Sequence, residues 1–172
     1  MSITHRAAKA AAVATLALAA TVGVATAPAH AAPYLSMSTH IEMHPVPGAP
    51  LVVDVHGFHQ PDQQTINIDG VVTLSQTAAQ DSIDSGYTIA LRYWGDDPSS
   101  DDLLYGPVQP RTAFAAADGL HFQHYVTLPH FLLDEDNSTF DNVDEIYVGA
   151  RFIDPNGKEV SKVESNHIEQ VL

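Results

Sequence analysis

Tyr87–Trp94 reads YTIALRYW, and its strict alternation decides the fold. Tyr87, Ile89, Leu91 and Tyr93 fall on one side of an extended chain, with Thr88, Ala90, Arg92 and Trp94 on the other. That period of two is the mark of a strand with one face buried. The Ile89/Leu91 face is expected inward, with Arg92 reaching solvent.

Working outward, similar segments recur at short spacing. On the N-terminal side, Thr65–Gln76 (TINIDGVVTLSQ) reads as a strand, with a bulge expected at Gly70. Leu51–Phe58 (LVVDVHGF) reads as another, and His59–Gln64 as a turn in which Pro61 cannot continue a ladder. Thr77–Gly86 reads as a polar connection. On the C-terminal side, Leu103–Phe114 is broken by Pro107 and Pro110 and suits a sheet edge. Asp118-Gly119 signals a hairpin leading into Leu120–Leu128. Glu145–Ile153, the turn Asp154–Gly157 and Lys158–Leu172 complete the series. With no amphipathic helix of ten or more residues in prospect, the pattern gives an all-β chain, a single antiparallel β-sandwich of C2-like or immunoglobulin-like type.

The N-terminus carries a different signal. Arg6 and Lys9 precede the Ala-rich apolar run Ala11–Thr26, and Ala29-His30-Ala31 supplies small residues for cleavage. Residues 1–31 therefore read as a secretory signal peptide, 32–49 as a Pro-rich arm and 50–172 as the sandwich. The expected location is extracellular, with no membrane insertion of the mature chain.

Composition narrows the partners. The chain has seven Lys and Arg against 21 Asp and Glu, and no Cys. Loss of Arg6 and Lys9 leaves five basic residues, hence a formal charge of −16. Such a surface disfavours nucleic acid and anionic membranes and attracts cations. A protein or carbohydrate partner remains compatible with it. Without disulfides, a bound ion is one available source of added stability.

The acids are not scattered. Gly95–Asp102 (GDDPSSDD) and Pro129–Asp144 hold nine of the 21. Leu133–Val148 (LDEDNSTFDNVDEIYV) contains no Lys or Arg to neutralise them. Strand parity places both loops, with the turn carrying His59 and Asp62, at one end of the sandwich. Carboxylates crowded together repel unless a cation sits among them, and hard oxygen ligands suit Ca²⁺. The candidate metal ligands are Asp96, Asp97, Asp101, Asp102, Asp134, Asp136, Asp141 and Asp144.

This arrangement resembles the calcium-binding end of C2-type β-sandwich domains, where two Asp-rich loops converge on Ca²⁺. The resemblance covers the two loops and the following strand. It implies that Asp96 and Asp102 (or Asp97 and Asp101) act with Asp134-x-Asp136. The family's next Asp comes six residues on; here Asp141 follows Asp136 by five and Asp144 by eight. The basic membrane-facing patch that often accompanies such loops is missing, so the resemblance implies calcium and not phospholipid.

Histidines offer a competing donor set. His40, Glu42 and His44 share a face if extended, and could hold Zn²⁺ or Cu²⁺ with a further ligand. His56/His59 and His121/His124 begin on expected strands, where three-residue spacing points the rings apart. Parity puts His59 and His130 at the acidic end, where with nearby carboxylates they would serve a Zn²⁺- or Cu²⁺-handling protein or a metallohydrolase. Catalytic signatures are thin: there is no Cys, no Gly-x-Ser-x-Gly and no His-Glu-x-x-His. Paired carboxylates could hydrolyse glycosides, but Trp94 is the single Trp available to line a cleft. Trp94 lies beside Asp96 and Asp97, where it either marks a binding surface or plugs the end of the core. The expectation is a non-catalytic binding protein.

Overall fold

A computed structural model describes residues 35–53, 59–96, 100–133 and 144–170. The expected signal peptide, the 54–58 stretch, Asp97, and Asp134, Asp136 and Asp141 lie outside them.

In chain order the strands are β1 (Met37–Pro45), β2 (Leu51–Val53), β3 (His59–Pro61), β4 (Gln63–Thr73), β5 (Thr88–Gly95), β6 (Asp102–Val108), β7 (Thr112–Ala116), β8 (Gly119–Pro129), β9 (Asp144–Ile153), β10 (Glu159–Glu164) and β11 (Ile168–Gln170). A helix, α1 (Gln76–Asp84), joins β4 to β5, and a 3₁₀ turn spans His130–Leu132. One sheet has the order β1-β4-β8-β7; the other runs β10-β9-β5-β6, with β11 continuing beside β9. A small ribbon pairs β2 with β3. All ladders are antiparallel, and the two main sheets pack face to face as an all-β sandwich.

Alternation fills the space between them. Ile66, Ile68 and Val72 from β4 and Leu120, Phe122 and Leu128 from β8 meet Ile89, Leu91 and Tyr93 from β5 and Ile146, Val148, Ala150 and Phe152 from β9. The inward face of β5 is thus the Ile89/Leu91 face, and Arg92 lies half-buried on the outer one. Among the described residues no helix is long and apolar enough to cross a membrane.

Four expectations change. Residues 37–45 are an integral strand and not part of a Pro-rich arm: β1 pairs with β4 over its whole length and buries Ile41. Its prolines fall at or beyond the strand end, where a missing N–H costs no ladder bond. Residues 59–61 form β3 rather than a turn, because β2 supplies a partner. Gly70 makes no bulge; register runs unbroken from Thr39 through Gly70 to Phe122. A Cβ on Gly70 would lie 2.2 Å from Phe122 Cζ, so the missing side chain makes room for a ring. Finally, 76–84 is helical. Ser75 Oγ accepts from Ala78 N at 3.2 Å as the N-cap. Gly86 (φ 84°) follows the helix end in the left-handed region, its N–H donating to Ile83 O. Ala79 and Ile83 pack on the core.

The two sheets are clasped along one edge. Ser161 Oγ donates to Leu35 O at 2.9 Å, and Asn166 exchanges two bonds with the Ile41 backbone. Six residues forward on one edge match five on the other, so β1 and β10 run the same way. The β1/β4 end carrying Pro45 and Gln64 therefore coincides with the end of the other sheet carrying Gly95, Asp102 and Asp144.

Candidate metal centre at the acidic end

Antiparallel pairing brings the end of β5 beside the start of β9. Gly95, the last residue of β5, pairs with Asp102 on one side and Ile146 on the other. The chain beyond Gly95 must then run alongside Glu145, and Asp96 N donates to Glu145 O at 2.7 Å. The third contributor is the C-terminal edge. After β10 the ladder is interrupted over 165–167, where Ser165 Oγ accepts from Val148 N at 2.9 Å. Register resumes at Ile168 opposite Ile146. The interruption swings His167 onto Tyr147, with ring centroids 4.9 Å apart and planes within 12°.

His167 Nδ1 lies 3.0 Å from Asp96 Oδ2. Asp96, Glu145 and His167 each offer one ligand atom, all within 4.8 Å of one another. Asp96 and Glu145 are half-buried and His167 is exposed, so an ion could enter from solvent. Tyr147, 7% exposed, lies against the His167 ring. Its hydroxyl donates to Asp101 Oδ2 at 2.7 Å. Burial, then that bond and the charges of Asp101, Glu164 and Asp96, hold the phenol well above its ordinary range, so it stays a neutral donor.

The expected ligands thus separate. Asp96 belongs to the cluster. Asp101 is exposed and engaged by Tyr147, and Asp102 is exposed where β6 begins. Asp144 is 4% exposed at the start of β9, opposite Gln170. Glu145 and His167 were not among the candidates; parity alone would have carried the last strand, and His167 with it, to the acidic end. His130 is buried in its 3₁₀ turn, with its N–H donating to Asp62 O at 2.8 Å. It is not one of the clustered ligands.

His59 begins β3 in the small ribbon, whereas His40, His44, His121 and His124 sit on the β1-β4-β8-β7 sheet. His40 and His44 flank Glu42 on the exposed face of β1, with Nε2 atoms 3.6 and 3.4 Å from its two carboxylate oxygens. His121 and His124 point to opposite faces of β8: His121 binds Asp118 Oδ1 at 2.7 Å, holding that carboxyl below its usual range, while His124 turns toward the interior.

No protein-family model and no curated protein sequence matches the chain. It is similar to the solved structure of a Bordetella pertussis protein bearing the provisional name ApaA, at 12% identity over 80% of this chain and 94% of that one, with a TM-score of 0.41. That degree of likeness carries no information about ligands.

Proposed function

We propose that this is an exported, non-catalytic β-sandwich that holds a divalent cation at its acidic end through Asp96, Glu145 and His167. The gathering of those three ligand atoms within 4.8 Å carries the reading. Two carboxylates and one imidazole suit Zn²⁺, with water or a partner's group in the fourth position. The ion would offset repulsion among the clustered carboxylates and join three chain segments, so it would act on stability or present an open coordination position to a partner. Calcium is the second reading, favoured by the oxygen-rich surroundings of Asp101 and Asp102 and by the C2-type loops.

Elemental analysis of untagged protein purified without chelator, followed by thermal melts with Zn²⁺, Ca²⁺ or Mg²⁺ at matched ionic strength, tests it. A Zn²⁺ shift lost in His167→Ala and Asp96→Asn supports the zinc site. A Ca²⁺ shift that survives His167→Ala moves the assignment to calcium. Equal response to all three ions, matched by Na⁺, removes the site.

A further inference from the structure

On the outer face of the β10-β9-β5-β6 sheet, three cross-strand rows build a notch. The middle row is Arg92, Gly149 and Glu164. Having no side chain, Gly149 leaves a gap in it. The row above holds Trp94 beside Tyr147; the row below holds Arg151 beside Lys162. The Trp94 indole leans into the gap so closely that a Cβ on Gly149 would lie 3.3 Å from its Nε1. The resulting cavity is about 340 Å³, walled by Trp94 and Tyr147 on one side and by Arg151 and Lys162 on the other.

Its lining is less acidic than the chain as a whole, with Arg151 and Lys162 set against Glu164. The described residues contain five basic side chains, and three of them, Arg92, Arg151 and Lys162, stand on this face. Arg151 is partly engaged by Glu159 at 3.2 Å. Among the described residues Lys162 and Arg92 have no ion pair, and Arg92 Nε is buried without a hydrogen-bond partner. Arg92 stands in the row of Gly149 but outside the cavity lining, so Lys162, unpaired among the described residues, is the lining cation that offers a place for an anion. The aromatic wall suits a flat, weakly polar ring face, and Glu164 accepts from hydroxyl groups.

We propose that this notch binds a single sugar-acid ring, a pyranose with one carboxylate, stacked on Trp94 and charge-paired to Lys162. The net charge of the chain repels long polyanions, so a monomer or a chain terminus is the expected ligand form. Cation binding at Asp96 is not required.

Trp94 is the single tryptophan, so intrinsic fluorescence reports directly on the notch. Titrations in chelator would compare glucuronate and galacturonate with methyl glucoside, acetate and benzoate. The expected result is saturable quenching by a uronate, with methyl glucoside, acetate and benzoate each weaker by about tenfold or more, the worth of one charge-assisted hydrogen bond. Lys162→Ala should bring the uronate down to the level of the neutral sugar, and Gly149→Ala should weaken both. Binding of benzoate or methyl glucoside as tight as the uronate, indifference to Lys162→Ala, or no saturable response would each overturn the proposal.

Discussion

The phenol of Tyr147 and the carboxylate of Asp101 are joined by a 2.7 Å hydrogen bond that ties the loop after β5 to the middle of the sheet. Tyr147→Phe keeps the ring on His167 and removes only the tie. A loss of about 1–2 kcal/mol is expected, since the acceptor is charged. A double-mutant cycle with Asp101→Ala in denaturant isolates the coupling; a value near zero would show the bond is not held in solution.

Alkali should act through the same residue. The folded-state value of Tyr147 is raised by burial first and by Asp101 next. A raised value means the stabilisation is fully present below the unfolded phenol's pKa of about 10 and is lost as pH climbs above it. Wild type should therefore lose stability above about pH 10 more steeply than Tyr147→Phe. Parallel curves would contradict this.

Tyr93 offers the opposite outcome. It is fully buried, edge-on to Tyr105 with centroids 5.5 Å apart, and its hydroxyl has no hydrogen-bond partner among the described residues. Tyr93→Phe removes an unsatisfied donor while keeping the ring, and should stabilise by up to about 1 kcal/mol. A clear loss in the melting temperature would mean that the hydroxyl is satisfied.

Gly70→Ala tests the packing of Phe122. The added Cβ would meet the ring at 2.2 Å and Ser38 O at 2.7 Å, so both ring and neighbouring strand must shift. Overpacking of this kind costs about 1–3 kcal/mol. A neutral Gly70→Ala in chemical denaturation would place the ring elsewhere.

Acid should act in part through His124. Burial, and then the Arg111 charge, pull its pKa down, so the folded chain holds this ring neutral. A depressed value in a base means the stabilisation is present above the unfolded pKa of about 6.5 and is lost as pH falls below it. Replacing it by Leu should flatten the stability profile between about pH 7 and 5 relative to wild type. An unchanged slope would remove His124 as a contributor.

How much of this could be read beforehand depended on which physical signal each segment carried. β5, β8 and β9 announced themselves because period-two alternation and half-burial are one phenomenon. β1 was masked by the prolines around it, although the His40/Glu42/His44 alternation inside it is a strand signature. Helix α1 is only nine residues long and buries little beyond Ala79, so its periodicity is faint. Its ends, Ser75 and Gly86, were the stronger evidence. Parity could point to the acidic end because it needs only directions of travel. It could not single out His167, whose position depends on a three-residue interruption of the last ladder that no local pattern encodes. The notch at Gly149 was only half legible: the single Trp94 stood out in the sequence, but the gap beside it requires three strands in register.

Asn166 has a consequence beyond joining the sheets. Its amide carbonyl accepts from Ile41 N at 2.9 Å and its NH₂ donates to Ile41 O at 3.2 Å, so one side chain imitates a neighbouring strand. β1 is the border of its sheet, and an open border is a template on which another chain can add. By occupying the donor and acceptor at its midpoint, Asn166 leaves no continuous run of free backbone groups there. A side chain thus interrupts the template that this border would offer to another chain, in addition to the charge of Glu42 and the proline at the strand end.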